Sequence, residues 1–305
     1  MNKPDISVIL PTFNRADVVS NAIDSILNQT FKSLELIIIN DASTDDTHQV
    51  VKAYQKKDPR IIFLENKKNC GCSKSRNIGL TYAQAETVAF MDDDDEYTDD
   101  ETLKCLYSQM ENDSCDIVIA DYQVNNDLKC MDRFGENFKY HIIKSPGPFL
   151  QCILIKKKLI TKIDIPFDSK ATPSEDWDFF ITLSTLNPGV AYCACNSFKW
   201  KLNHNSQSIN FIKEANALAY ICYKHYKYMI KNIGKKMMSD HYRRIARVYE
   251  KAESINQIHK FYKKAFMEYP FSIKNIFYRG MVIVGYKNTK PLINWIRKLR
   301  GVSNA

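Results

Sequence analysis

Four short apolar runs limit what this chain can fold into. DISVIL (5–10), LELIIIN (34–40), RIIFLEN (60–66) and TVAFM (87–91) are too short for core helices and too continuous for strands with a wet face. Such runs read as strands buried on both sides. The segments between them have helical period. Residues 16–29 place Val18, Val19, Ala22, Ile23, Ile26 and Leu27 on one helix face. A second helix is expected through 57, capped by Thr44 or Asp45, and a third from a Ser73 cap to residue 84. A helix over 99–112 and a strand over 116–124 continue the alternation. Strand alternating with helix predicts an α/β fold: a mostly parallel twisted sheet with helices on both faces.

Beyond residue 125 the alternation decays. Residues 150–162 read as a basic helix, 175–186 as an amphipathic helix and 191–202 as a strand, and from 210 onward the period is helical. Charge divides the chain at the same place. Residues 1–210 carry 23 Lys/Arg against 30 Asp/Glu, and residues 211–305 carry 20 against 5, giving net charges of −7 and +15. The expected organisation is therefore a first domain over 1–210 and a basic helical C-terminal region over 211–305. An acidic front suits metal binding. A basic tail suits an anionic membrane surface, or a solvated face docked on the acidic half; nucleic acid is the weakest of the three readings. No stretch reaches the ~18 apolar residues of a membrane span, and MNKPDISVIL turns polar too early for a signal peptide. The nine cysteines include two C-x-C pairs and no C-x-x-C, which favours reduced, mostly buried thiols of a cytoplasmic protein over a zinc site.

In a parallel sheet, ligands bind outside the carboxyl ends of the strands. Those ends hold Pro11-Thr12-Phe13-Asn14-Arg15, then Asn40-Asp41-Ala42-Ser43, then Asn69-Cys70-Gly71 with Arg76 in the next helix, then Asp92-Asp93-Asp94-Asp95. Four adjacent carboxylates repel one another. A hard divalent cation, Mn²⁺ or Mg²⁺, relieves that repulsion through oxygen ligands and keeps positions open for substrate phosphates. An extended backbone would put Asp92 and Asp94 on one side, Asp93 and Asp95 on the other. The alternative is an acidic solvated turn before the next helix. Neither G-x-x-x-x-G-K-[ST] nor G-x-G-x-x-G occurs, which removes the main support for a P-loop ATPase or a dinucleotide-binding dehydrogenase.

SVILPTFNR (7–15), IIINDASTDDT (37–47), NCGCSKSRNIGL (69–80) and VAFMDDDDEY (88–97) together resemble family-2 glycosyltransferases of the A-type nucleotide-sugar (GT-A) fold. SEDWDFFITL (174–183) is similar to the family's ED block and WKLNHNSQS (200–208) to its closing His-x-x-Ser segment. The resemblance covers the first two-thirds of the chain. It implies an inverting, metal-dependent transfer of a sugar from a nucleotide-diphosphate donor, a UDP-sugar in the usual member, to a hydroxyl of a glycan or lipid-linked acceptor. Pro11, Thr12 and Asn14 would line the nucleotide pocket, Asp41 would bind the base, Arg76 the nucleotide or its diphosphate, and Asp92 the ribose. Asp94 would hold the metal, with Asp95 a near-equal candidate and His204 a further ligand or phosphate contact. Asp176 would be the general base, and Glu175 would support the acceptor or the helix start. Trp177 and Trp200 could stack on sugar rings or be core aromatics. The Q-x-x-R-W block of processive synthases is absent, which favours single additions. A nucleotidyltransferase or a non-catalytic nucleotide-binding relative are the competing functions. The implied location is the cytoplasm, peripheral on the inner membrane face.

Overall fold

The computed structural model describes residues 3–124, 127–131, 137–145, 147–200 and 210–285, without the Trp200 side chain. The chain divides into two compact units, Met1–Asn205 and Ser206–Ala305.

In the first unit, β1 (Ile6–Thr12), β2 (Leu34–Asn40), β3 (Ile61–Glu65) and β4 (Thr87–Phe90) are parallel, with β1 between β2 and β4. β5 (Ile117–Val124), β6 (Asp127–Lys129), β7 (Ile153–Lys156) and β8 (Val190–Trp200) complete an eight-stranded sheet among the described residues. Its order is β3-β2-β1-β4-β7-β5-β6, with β8 parallel to β5. β7 lies antiparallel between β4 and β5. The expected basic helix over 150–162 is thus corrected: a 3₁₀ turn at Leu150–Cys152 leads into β7, and only one helical turn follows. Ile153, Leu154 and Ile155 are all fully buried. A helix would turn one of them to solvent, whereas a central strand covers both faces.

Helices α1 (Val19–Leu27), α2 (Thr47–Lys57), α3 (Cys72–Tyr82) and α4 (Thr102–Asn112) follow the first four strands. Alternate residues of β1 explain how both faces are covered. Ile6, Val8 and Leu10 join Val19, Ala22, Ile23 and Ile26 of α1 and Leu103, Leu106 and Met110 of α4 in one core cluster. Each such buried aliphatic side chain contributes roughly 1.5–3 kcal/mol. Ile9 points to the other face, under α3. A Cβ on Gly79 of α3 would stand 2.6 Å from Ile9 Cγ2 and 2.9 Å from Ile39 Cδ1, so the helix can sit this close only with glycine there. α3 begins at Cys72 behind Gly71 (φ 87°), one residue before the expected Ser73 cap. Ser73 instead shares a 2.9 Å hydroxyl–hydroxyl bond with Thr172.

α5 (Phe138–Lys144), α6 (Lys157–Ile160) and α7 (Glu175–Thr185) complete the unit. Aromatic packing fixes α7. Phe179 stacks on Phe167 at 4.6 Å, Phe167 meets Phe90 edge-on at 5.2 Å, and the Trp177 indole N–H donates to the Ile142 carbonyl at 2.7 Å. Trp177 is therefore a core aromatic and not a sugar platform.

The second unit holds α8 (Phe211–Lys224), α9 (Tyr226–Lys251), α10 (Ile255–Glu268) and α11 (Ile273–Val284). α9 breaks at Gly234, whose φ is 70°, a conformation that costs glycine little. Asn275 anchors α11 by donating to Ser239 Oγ, the Ala265 carbonyl and the Tyr269 carbonyl at 2.7, 3.0 and 2.6 Å. Tyr278 stacks on Tyr262 at 4.4 Å. Among the described residues, no helix is long and apolar enough to cross a membrane.

Candidate active site

The strand ends carry polar groups that bond to one another across the top of the sheet. Asn14, after β1, has φ 53°, and Ala42, after β2, has φ 61°. Both are non-glycine residues in the left-handed region, where strain of order 1 kcal/mol persists only under outside constraint. Hydrogen bonds supply that constraint. The Asn14 N–H donates to Ser43 Oγ at 2.9 Å, and Asn14 Oδ1 accepts from the Thr44 N–H at 2.8 Å. Pro11 and Thr12 lie buried at the tip of β1.

Asp41 is buried at the tip of β2 and gathers the loop before α3. Its carboxylate accepts from Asn66 Nδ2 at 2.7 Å, the Cys70 N–H at 2.9 Å and the Gly71 N–H at 2.7 Å. Burial alone would raise its pKa, but these donors outweigh burial and hold it below the ordinary carboxylate value.

The four aspartates do not alternate as an extended strand would. β4 ends at Phe90, and the segment turns, with the Asp95 N–H reaching back to the Asp92 carbonyl at 3.2 Å. The sides are therefore shared by Asp92 with Asp95 and by Asp93 with Asp94. Gln151 donates its amide N–H groups to Asp92 Oδ2 at 2.8 Å and Asp95 Oδ2 at 2.7 Å. On the other side Arg15 meets Asp93 at 3.3 Å and Asp94 at 3.5 Å. Burial first, then the neighbouring carboxylates, push Asp95 up to about 8. Burial, opposed by Arg15, pushes Asp93 up to about 6. The tip holds more negative charge than its partners neutralise. Asp95 is buried and engaged by Gln151, whereas Asp94 is a third exposed and only loosely paired. A hard cation on Asp94, completed by diphosphate oxygens and water, fits this donor chemistry. Among the described residues no three His, Cys, Asp or Glu side chains converge as a metal cage, so substrate oxygens would have to supply further ligands. His204 lies outside the described residues.

Arg76 joins this tip to α7. Its Nη2 donates to Asp92 Oδ1 at 2.6 Å and its Nη1 to Glu175 Oε1 at 2.9 Å, and its guanidinium lies over the Phe167 ring at 5.5 Å. Burial works against the charge of Arg76, but Asp92, Cys72 and Glu175 overcome it and raise its pKa. Arg76 Nε and Glu175 Oε2 are buried without a hydrogen-bond partner. Such orphaned polar atoms are costly and cluster where ligands bind. Asp176 follows Glu175 in the first turn of α7, half-buried, and its Oδ1 accepts the Trp177 N–H at 2.7 Å. Burial, then the charge of Glu175, push its pKa up to about 6.

Of the expected residues, Arg76 brings together Asp92 at the β4 tip and Glu175 of the ED helix; Asp41 and Asn14 bond within the loops after β1, β2 and β3. Gln151 was not anticipated, because a lone glutamine carries no motif. Nor was Cys72, whose thiol donates to Glu175 Oε1 at 2.9 Å and which burial pushes up to about 12.

Comparisons with known proteins bear on the family and the fold. The family model "Glycosyl transferase family 2" matches residues 7–159. The putative teichuronic acid biosynthesis glycosyltransferase TuaG of Bacillus subtilis is 30% identical, over 70% of this chain and 85% of TuaG. The UDP-Glc:alpha-D-GlcNAc-diphosphoundecaprenol beta-1,3-glucosyltransferase WfgD of Escherichia coli is 27% identical, over 68% of this chain and 81% of WfgD. Two other curated relatives are covered over only 19% and 30% of their length. Staphylococcus aureus TarS 1–349, crystallised with UDP-GlcNAc, superposes with a TM-score of 0.71 and 17% identity, covering 99% of this chain and 93% of that one. The mannosyltransferase PcManGT of Pyrobaculum calidifontis, solved with GDP-Man and Mn²⁺, superposes with a TM-score of 0.63 and 15% identity, covering 97% and 84%. The fold is that of the GT-A glycosyltransferases. The chain belongs to glycosyltransferase family 2 and is a glycosyltransferase.

Proposed function

We propose that the first unit is an inverting glycosyltransferase that moves a sugar from a nucleoside-diphosphate donor, a UDP-sugar, to a hydroxyl of a glycan or lipid-linked glycan. The observation that carries this reading is the Arg76 bridge, which ties Asp92 at the β4 tip to Glu175 beside Asp176. Donor and acceptor machinery are thereby held in one site. The names of the relatives point the same way, since WfgD takes UDP-Glc and a diphosphoundecaprenol-linked acceptor.

Asp176 takes the proton of the acceptor hydroxyl as its oxygen forms the new bond to the anomeric carbon. The bond from that carbon to the diphosphate oxygen breaks on the opposite face, so configuration inverts, and the electron pair leaves with the nucleoside diphosphate. A carboxylate with a pKa near 6 is deprotonated at neutral pH yet basic enough for this task. Pro11, Thr12, Asn14 and Asp41 orient the nucleotide, Asp92 the ribose. Arg76 acts chiefly by holding Asp92 and Glu175 in register. A divalent cation bound by Asp94 would neutralise charge on the departing diphosphate. The Mn²⁺ bound by PcManGT supports the use of a divalent cation.

A panel of nucleotide sugars with Mn²⁺ and a lipid-linked acceptor, scored by released nucleoside diphosphate, tests the reading. One or more UDP-sugars should turn over, EDTA should stop the reaction, and Mn²⁺ should restore it. Pyrophosphate release from a sugar phosphate and UTP would instead identify a nucleotidyltransferase.

A further inference from the structure

Helix α11 has two unlike faces. Asn275, Tyr278, Met281 and Val282 turn toward the other helices of the second unit. Ile273, Ile276, Phe277, Ile283 and Val284 turn outward, and Phe271 just before the helix is exposed as well. The five helix positions are spaced i, i+3, i+4, i+10, i+11, which is one continuous face about 120° wide. Phe271 and Ile273 are each 85% exposed and Ile283 70%. Single exposed aliphatics are ordinary, but a contiguous stripe marks a docking surface.

The charge around the stripe selects the occupant. Lys274 and Arg279 lie on its two flanks. From Tyr269 to Ala305 the sequence holds seven Lys/Arg and no Asp or Glu. A second copy of the chain, docking the same face about a two-fold axis, would bring two such cationic segments together. A nucleic acid would satisfy the cations and leave the aliphatic stripe wet. An anionic bilayer satisfies both: apolar side chains enter the acyl boundary, and flanking Lys and Arg keep their heads among lipid phosphates. Twelve residues of helix span only about 18 Å against a ~30 Å hydrocarbon core, so the helix lies in the surface and does not cross it.

We propose that the outward face of α11, with Phe271, docks this chain on an anionic lipid surface. The proposal goes beyond the sugar-transfer reading and does not depend on it. The full-length chain is floated with vesicles of phosphatidylcholine containing roughly 30% phosphatidylglycerol, and with phosphatidylcholine alone. Expected is partitioning onto the anionic vesicles that falls with added salt and is weak on the neutral ones. Replacing Ile273, Ile276 and Ile283 together by Gln should lower partitioning tenfold or more, about 1.4 kcal/mol. Lys274→Glu with Arg279→Glu should lower it comparably. The five substituted positions lie outside the catalytic unit, so both variants should keep the wild-type rate of nucleoside-diphosphate release from donor and water. Wild-type chain that stays with the soluble fraction, or variants that float as wild type does, would overturn the proposal. So would a wild-type dimer, seen by light scattering, that the Gln variant converts to monomer, since that result gives the face to a second copy.

Discussion

Arg76 ties the β4 tip to the ED helix through two ion pairs, to Asp92 and to Glu175. Its side chain and that of Glu175 are 7% and 8% exposed, and their bond is 2.9 Å long. The second bond, 2.6 Å to Asp92, is a third exposed on the carboxylate side and is better screened. Arg76→Met removes the charge and leaves Glu175 buried with neither oxygen served by a cation. Breaking one side of such a buried pair costs about 3–5 kcal/mol. Arg76→Lys keeps the charge, but a single ammonium cannot span two carboxylates in the fixed fork of a guanidinium, so a loss of roughly 1–3 kcal/mol is expected. Glu175→Gln in the Arg76→Met background removes the stranded charge, so the double variant should recover about 1–3 kcal/mol relative to the sum of the singles. Urea unfolding of wild type, Arg76→Met, Arg76→Lys, Glu175→Gln and the double variant, with slopes compared, measures this. An Arg76→Met cost below about 1 kcal/mol, or additive singles, would show that the bridge does not hold the site together.

Three further outcomes follow from the same geometry. Because Asp176 is raised to about 6, it is protonated below that pH; kcat/KM for transfer should fall as pH drops through about 6 and level off above it, and a flat profile between pH 5 and 8 would remove Asp176 as the base. Gly79→Ala should destabilise the chain by about 1–3 kcal/mol in thermal or urea unfolding, because Ile9 and Ile39 must move; wild-type stability would mean that α3 has slack over the sheet. Gln151→Ala deletes two bonds to carboxylates, each worth about 1.5–3 kcal/mol, and Gln151→Glu should be worse on donor affinity by calorimetry, since it adds a carboxylate to a tip already in surplus; equal donor affinity for the two variants would argue against the electrostatic reading of the tip.

The first half of the fold was legible because the four parallel strands are nearly pure apolar runs bounded by Pro, Asp and Asn. β7 was not, since QCILIKKKLI is short, apolar and followed by lysines, and periodicity cannot separate a buried strand from a buried helix of that length. Its identity is decided by the gap between β4 and β5, a tertiary fact. Asp41, Arg76, Asp92, Glu175 and Asp176 were legible as blocks, but their bonding was not. The turn after Phe90 pairs Asp92 with Asp95, and only the backbone reversal reveals it. Gln151 meets Asp92 and Asp95 across 59 and 56 residues of chain, a distance over which no local pattern operates.

Donor binding compared with sugar transfer in Asp176→Asn tests the role of Asp176 most directly. The amide is nearly isosteric but cannot accept the acceptor proton. Transfer should fall by about 10²–10⁴-fold, while calorimetric affinity for the nucleoside diphosphate with Mn²⁺ stays within about threefold of wild type. Transfer at the wild-type rate would contradict the assignment of Asp176 and with it the single site joined by Arg76.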